Sequence, residues 1–187
     1  MPKQKLRQTI LARRRILAAS EVRVTSMRIQ KAFTSSAEFA KARILALYAP
    51  IHNEVDTAEV LTEALAAAKT VLYPAVSGDG LRFRRILAPE QLQKGAFGIL
   101  EPDASCDAYD PGEADLIVLP GVAFDTKGKR IGYGKGYYDK ALHSLEGRGK
   151  LIGFCYDFQL VDDIIGEPHD VKMDLLITEK RVVCPRD

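Results

Sequence analysis

Apolar residues recur along this chain at two distinct spacings. Over Pro2 to about Ala19, Leu6, Ile10 and Leu17 fall at helical intervals and predict a first helix with one buried face. A second helix is predicted over Ser20 to Phe33, turning Val24, Met27 and Phe33 inward, and a short helical piece over Ala37 to Ala42. The pattern then changes to compact apolar runs at Ile44–Tyr48, Val71–Val76, Asp115–Leu119, Lys150–Tyr156 and Leu175–Thr178. Runs this short and this apolar suit strands buried on both faces. Ser77-Gly78-Asp79-Gly80 is a turn signal that folds Leu81–Leu87 back as an antiparallel partner. Between the strands lie a helix from Asp56 through Ala68, one from Gly136 to about Leu145, and one over Phe158–Ile165. Asp56 followed by Glu59 reads as a capping box. Lys94–Pro102 reads as a loop, and residues 103–114 as an acidic, turn-rich connection. Strand and helix alternate through most of the chain. The expected fold class is therefore α/β: an open, mostly parallel (mixed) sheet with helices on both faces, a Rossmann-like three-layer sandwich formed by a single domain over 1–187.

Composition narrows the class. A chain of 187 residues buries roughly 70% of its unfolded surface when it folds as one unit, enough for a full core. No apolar stretch approaches the ~18 residues that a membrane span needs. Cys106, Cys155 and Cys184 lie far apart and form no CxxC, which argues against a zinc site or a disulfide framework and for a reducing compartment such as the cytoplasm. The net charge of +2 conceals an uneven distribution: residues 1–45 carry eleven Lys/Arg and two Glu, a balance of +9 that leaves −7 for the remainder. An Arg-rich start of this kind is compatible with a transit leader, a nucleic-acid arm, or one wall of a site for a small polyanion. At about 100° per residue, Lys3, Arg7 and Arg14 project within roughly 40° of one another, so a cationic stripe borders the apolar one. The bland alternative is a solvated basic face. Nothing in the pattern assigns a role to Arg13, Arg14 or Arg15.

The densest chemistry lies after the run Asp115–Leu119. Pro120-Gly121 ends the run, a polar loop Asp125–Arg130 follows, and glycines then stand at alternate positions, Gly132, Gly134 and Gly136, with Lys135 between the last two. Tyr137-Tyr138-Asp139 opens the next helix. Strand, glycine loop and helix start form the plan of an anion site, because backbone N–H groups and the positive helix end face the ligand. Lys129, Arg130 and Lys135 add fixed charge, and Asp139 offers a hard oxygen suited to Mg2+. The loop is not a Walker A motif: Gly136 stands where Ser or Thr should follow the lysine. Nor is it a dinucleotide GxGxxG. A glycine-rich hairpin packed against a sheet is the competing reading. A second candidate is Glu54, at the carboxyl end of the first strand just before a helix, the edge where open α/β sheets bind ligands.

The segment PGVAFDTKGKRIGYGKGYYD at 120–139 resembles the signature of the 5-formyltetrahydrofolate cyclo-ligase, or methenyltetrahydrofolate synthetase, family. The likeness extends to KQKLR near the amino end, LYAPIHNEVDT at 47–57, FGILEP at 97–102 and HDVKMDLLIT at 169–178, so it spans nearly the whole chain. The resemblance implies ATP- and Mg2+-dependent cyclisation of 5-formyltetrahydrofolate to 5,10-methenyltetrahydrofolate. ADP and phosphate are released, and the path runs through an iminium phosphate. It implies that Lys3, Arg7, Arg130, Ile131, Gly132, Tyr133, Gly134, Lys135, Gly136, Tyr137 and Tyr138 hold ATP. Ala49, Glu54, Gly136 and Tyr138 would then meet the folate, and Asp139 and Asp174 would ligate Mg2+. Lys135 is the candidate for stabilising charge on the transferred phosphoryl group, with Arg130 beside it; Tyr133 and Lys135 stand at positions where the family varies. The match at Lys3 and Arg7 also argues against a cleaved leader.

This chemistry asks for positioning and charge rather than a protein nucleophile, which suits a chain with three histidines and no Ser-His-Asp pattern. Phe97 could stack on a flat ring, although core packing is the commoner fate of a lone Phe. His52 reads as a loop residue, and His169 beside Asp170 as a structural hydrogen bond. Arg82, Arg84 and Arg85 form a plain solvated face or meet an acidic tail such as polyglutamate. The partner expected is the small folate, with no nucleic acid, no membrane and a monomeric chain. A sugar-phosphate or CoA-handling enzyme on a related scaffold would share the glycine loop without needing Mg2+ carboxylates. An RNA module would show salt-dependent affinity but lacks the aromatic signature.

Overall fold

Strands that are apolar on consecutive positions can be buried on both faces only if layers cover them on either side. The computed structural model, which describes residues 3–78, 80–142, 148–165 and 171–185, shows that arrangement. In chain order the helices are α1 (Lys3–Arg15), α2 (Ala19–Thr34), α3 (Ala37–Lys41), α4 (Ala58–Ala66) and α5 (Tyr137–Leu142). The strands are β1 (Ile44–Ala46), β2 (Thr70–Ser77), β3 (Gly80–Ile86), β4 (Leu92–Lys94), β5 (Leu100–Pro102), β6 (Ala108–Tyr109), β7 (Leu116–Leu119), β8 (Ala123–Asp125), β9 (Arg130–Ile131), β10 (Lys150–Phe154), β11 (Leu160–Val161), β12 (Leu175–Ile177) and β13 (Val182–Val183). Eight of them form one sheet in the order β13-β12-β10-β7-β1-β2-β3-β6. The run from β12 to β2 is parallel, with Ile152 opposite Leu175, Lys150 opposite Leu116, Leu45 opposite Leu116 and Leu45 opposite Val71. β3 and β13 pair antiparallel at the two sides, and β6 adds a last antiparallel partner to β3. The expected mixed, mostly parallel sheet with helices on both faces is therefore observed.

Alternate residues of each strand serve opposite layers. Leu45, Val71, Tyr73, Val118, Ile152, Phe154 and Ile177 pack with Ile29, Phe33, Phe39, Val60 and Ala64 of α2, α3 and α4. Ala46, Leu72, Ile117, Leu119, Leu151 and Leu176 face the other way, onto Phe124 of β8 and Leu142 of α5. Gly153 lets this second layer close: a Cβ there would stand 2.6 Å from Leu176 Cδ2 and 2.8 Å from Phe124 Cε1. A small cluster of Ile10, Val122, Ala123, Ile131 and Ile164 seats α1 on the β8–β9 hairpin, with Leu6 alongside. Helix α1 is thereby placed beside the carboxyl ends of the parallel strands.

Three expectations are corrected. Lys94–Pro102 is not a plain loop but part of a hairpin in which β4 pairs with β5. The polar Asp125–Arg130 loop is found as expected and forms the turn of the β8–β9 hairpin, where the Asp125 carboxylate accepts from the N–H groups of Lys127 and Lys129. Phe158–Ile165 is no helix: one 3-10 turn at Asp157–Gln159 leads into β11, which pairs in parallel with β8. The inward face of α2 consists of Ser26, Ile29, Gln30 and Phe33, while Val24 and Met27 lie exposed.

That last shift in helical phase has a chemical cause. The buried Gln30 Oε1 accepts from the N–H groups of Glu59 (2.9 Å) and Val60 (3.3 Å) at the start of α4. Ser26 Oγ accepts from Asp56 N–H at 3.0 Å. Asp56 does cap, accepting from Thr57 and Ala58 N–H, but both halves of the expected box come from α2: Gln30 takes the Glu59 N–H, and Ser26 takes the Asp56 N–H that the Glu59 side chain would have bound. Two polar side chains of α2 thus turn inward because the first turn of α4 needs acceptors there. Gln30→Leu keeps the volume and removes the acceptor. It should cost about 1–2 kcal/mol in urea unfolding, whereas Met27→Gln on the exposed side should change stability by less than about 0.5 kcal/mol.

Candidate active site

The strands β1, β2 and β7 end along one edge, and the loops leaving that edge enclose a cavity of about 510 Å3, within the usual range for a small-molecule site. Its floor is Tyr48 and Ala49 after β1, Pro74 and Val76 of β2, and Pro120 after β7. One wall is the segment from Arg130 to Asp139, all of whose residues line the cavity. Lys3 and Arg7 of α1 close one end, and the β4–β5 hairpin brings Phe97, Ile99, Leu100 and Glu101 to the other.

The glycine wall is shaped by its backbone. Gly134 and Gly136 adopt φ of +102° and +67°, which side chains other than glycine rarely take. Arg7 lies against this loop: its Nε donates to Gly132 carbonyl at 2.9 Å, and its guanidinium carbons and nitrogens pass 3.8 Å from where a Gly134 Cβ would stand. Lys135 is exposed, and its Nζ rests 3.2 Å above the Phe97 ring, a cation–π contact across the cavity mouth. Phe97 is 67% exposed with φ +59°, so it is presented to the mouth and not packed in the core.

Arg130 is buried and held by protein partners through its two Nη groups, while its Nε meets no hydrogen-bond partner. Its Nη1 donates to Pro120 carbonyl at 3.1 Å and its Nη2 to Asp139 Oδ1 at 2.8 Å. Its charge is therefore already paired with that of Asp139, which also lines the cavity. Arg130 is thus placed in the cavity wall with its Nη2 on Asp139. Asp174 is not brought to the cavity. It directly precedes β12, at the edge where the parallel strands begin; its Oδ2 accepts from Leu151 N–H at 2.7 Å and its own N–H donates to Leu151 carbonyl at 2.8 Å. Among the described residues no group of three His, Cys, Asp or Glu side chains could hold a metal. Of the two carboxylates expected to ligate Mg2+, Asp139 lines the cavity and Asp174 stands away from it. His169 and Asp170 lie outside the described residues.

Glu54 is 5% exposed. Its Oε2 accepts from Ile51 N–H at 3.0 Å and its Oε1 from the Tyr133 hydroxyl at 3.0 Å. Arg14, which sequence reasoning left without a role, stands behind them at 1% exposure. Its Nε donates to His52 carbonyl (2.9 Å) and its Nη1 to Gly121 carbonyl (3.2 Å). Its Nη2 donates to the Tyr133 hydroxyl and lies 3.8 Å from Glu54 Oε1. The signal that could have found Arg14 was its seven-residue separation from Arg7, which puts it on the same helical stripe. Burial pushes the Glu54 carboxyl upward against the opposing pull of Arg14, Ile51 N–H, Tyr133 and Arg130. Burial, followed by the Glu54 charge, pushes the Tyr133 and Tyr138 phenols up, so both remain neutral donors. Tyr73, behind the site, is raised to about 12 for the same first reason.

Comparison with known proteins gives a consistent result. The model of the 5-formyltetrahydrofolate cyclo-ligase family matches residues 1–179. A 5-formyltetrahydrofolate cyclo-ligase of Mycolicibacterium smegmatis is 31% identical over 185 residues, covering 96% of this chain and 94% of that protein. One of Mycoplasma pneumoniae is 30% identical over 182 residues, covering 96% and 100%. The NMR structure of Aquifex aeolicus 5,10-methenyltetrahydrofolate synthetase superposes with a TM-score of 0.88 at 38% identity, covering all of this chain and 94% of that one. The structure of the Mycoplasma pneumoniae synthetase gives 0.77 at 30%, covering 96% and 99%.

The raised Glu54 carboxyl has a consequence for stability. The folded chain keeps this proton at pH values where the unfolded chain has lost it, so stability present below the ordinary glutamate value near 4.5 declines as pH rises through the folded value. The urea midpoint of wild type should fall relative to that of Glu54→Gln between about pH 4.5 and 7. A difference between the two that stays constant with pH would show that Glu54 is not held this way.

Proposed function

Because this chain belongs to the 5-formyltetrahydrofolate cyclo-ligase family, its reaction is the ATP-dependent closure of 5-formyltetrahydrofolate to 5,10-methenyltetrahydrofolate, and we propose that the cavity between Glu54 and the glycine wall carries it out through a phosphorylated formyl oxygen. The observation that supports this best is the convergence, in one cavity, of an anion-facing half (Lys3, Arg7, Gly132 to Gly136, Lys135) and a half that can read a flat heterocycle (Ala49, Glu54, Tyr138).

The chemical difficulty is that the formyl oxygen must leave as oxide, a very poor leaving group. Attack of that oxygen on the γ-phosphorus of ATP releases ADP and gives an iminium phosphate. The N10 lone pair then attacks the former formyl carbon, N10 gives up its proton, and the C–O bond breaks with departure of phosphate. In phosphoryl transfer the protein contributes mainly alignment and electrostatic stabilisation. The N–H groups of the glycine wall cradle the phosphates, Arg7 and Lys3 neutralise their charge, and Lys135 moves from the Phe97 ring onto the transferred group. Glu54 accepts hydrogen bonds from the N–H and amino groups of the pterin edge, while the neutral Tyr138 phenol lies at the formyl end beside Gly136. Tyr133, Ile131 and Tyr137 complete the nucleotide wall.

The site also fits one Mg2+. Asp139 lines the cavity beside the phosphate wall, and Mg2+ commonly takes one or two carboxylates, with phosphate oxygens and water supplying the rest. When bound, the ion would neutralise charge on the phosphates. We assign it to Asp139 alone within the cavity, with Asp174 in a structural role. The chain would act as a single monomeric domain in the cytoplasm, a reading supported by its three unpaired cysteines; no helix among the described residues is long and apolar enough to cross a membrane.

Near-ultraviolet absorbance of methenyltetrahydrofolate, followed with ATP and Mg2+ each omitted in turn, tests the reading. Product should require both; a purified protein that forms none with both present would overturn it. Lys135→Ala should lower kcat by about 10- to 1,000-fold with stability changed by less than about 0.5 kcal/mol, because its ammonium is exposed. Asp139→Asn should lose rate and weaken the Mg2+ dependence. It should also destabilise the fold, because Arg130 loses its buried partner.

A further inference from the structure

We propose that Arg14 is a positioning residue for this reaction: through Tyr133 and Glu54 it locks the folate half of the cavity to the phosphate half. The proposal rests on the reading above that Glu54 receives the pterin edge. Three loops meet at one guanidinium: the segment after β1 through His52 carbonyl, the segment after β7 through Gly121 carbonyl, and the glycine wall through the Tyr133 hydroxyl. Tyr133 passes the connection on by donating to Glu54 Oε1. Asn53 reinforces the anchor from the other side, its Nδ2 donating to the carbonyl of Arg14 itself at 3.1 Å. The His52-Asn53 pair adopts φ of +48° and +57°, a conformation uncommon for such residues, and it is this bend that turns the His52 carbonyl and the Asn53 amide onto Arg14.

A buried cation of this kind does two things for its neighbours. Its charge, 3.8 Å from Glu54 Oε1, favours the carboxylate in a setting where burial favours the acid. Its planar fork fixes directions, because each N–H bond points at a different acceptor and an ammonium cannot reproduce that set. Tyr133 then has one orientation open to it: it accepts from Arg14 and donates to Glu54. The group that faces the pterin and a residue of the phosphate wall thereby share one hydrogen-bonded chain, and a shift of either half disturbs the other.

Other charged and titratable groups facing Glu54 are few. Arg130 reaches it only through space, and Tyr48 and Tyr138 are neutral phenols whose upward shift owes first to burial and second to Glu54 itself. Removing the Arg14 charge therefore takes away the strongest influence that favours the Glu54 carboxylate.

The test compares wild type, Arg14→Met, Arg14→Lys, Tyr133→Phe, Glu54→Gln and the Arg14→Met/Glu54→Gln double variant. Calorimetry gives Kd for 5-formyltetrahydrofolate and for ATP, and kcat/KM for the folate is followed against pH. Arg14→Met should weaken folate binding about 10- to 100-fold and ATP binding less than about threefold, and should move the acid limb of kcat/KM to higher pH. Arg14→Lys should keep the limb near its wild-type position, because the charge remains, yet recover only part of the folate affinity. In the Glu54→Gln background the Arg14→Met change should add little. Fully additive losses, an unmoved acid limb, or equal weakening of folate and ATP would each overturn the proposal. If Arg14→Met does not fold, Arg14→Lys and Tyr133→Phe decide: both must weaken folate more than ATP, and equal or no weakening overturns it. Wild type that forms no methenyltetrahydrofolate would instead refute the underlying reading of the site.

Discussion

A guanidinium taken out of water costs several kcal/mol unless every direction it points in meets an acceptor. Arg14 meets that condition with two backbone carbonyls and a phenol, and with a carboxylate within 4 Å. The rest of the cavity depends on this. The carbonyls belong to loops that leave neighbouring parallel strands, and the phenol belongs to the glycine wall. The helix that carries Arg14 also presents Arg7 to Gly132. One helix therefore supplies both the buried clamp and the half-buried cation Arg7, spaced by two helical turns, and the apolar residues Leu6 and Ile10 seat that helix on the β8–β9 hairpin.

Chemistry of this type asks little of individual side chains and much of their placement. A phosphoryl group passes between two oxygens when these are aligned, desolvated and surrounded by positive charge. Parallel strands deliver the required loops to one edge. The antiparallel β8–β9 hairpin then carries the chain away from that edge and back, so that Arg130 and the glycines return opposite Glu54. Arg130 marks the junction: it is pinned by Pro120, where β7 ends, and by Asp139, where α5 begins. Its burial explains why Asp139 can stand at a helix start without being a mere dipole acid.

The strand runs, the antiparallel β3 and the glycine wall were legible in the sequence, because each rests on local pattern: apolar runs, a Ser-Gly-Asp-Gly turn, alternate glycines. Lys3, Arg7 and Glu54 were singled out through the family likeness, and all three line one cavity. What was not legible depended on partners distant along the chain. Gln30 and Ser26 face inward because amides of α4 need acceptors, which no property of α2 alone reveals. The same requirement displaces Val24 and Met27 to the surface. Arg14 sits in a run of three arginines, a pattern that ordinarily marks a solvated face; only the positions of His52, Gly121 and Tyr133 distinguish it from Arg13 and Arg15. Phe97 looked like core by residue type, yet a left-handed backbone turn holds it at the mouth. Asp174 precedes a strand of the same sheet, at its starting edge, where it bonds the backbone of Leu151.

On the function proposed above, the formyl oxygen of the folate and the terminal phosphate of the nucleotide meet in this cavity and the first leaves on the second. Following the isotope tests this most directly. 5-Formyltetrahydrofolate labelled with oxygen-18 in the formyl group would be converted in unlabelled water with unlabelled ATP, and the released phosphate analysed by mass spectrometry. One labelled oxygen should appear in each phosphate formed; unlabelled phosphate, with the isotope recovered in water, would contradict the transfer.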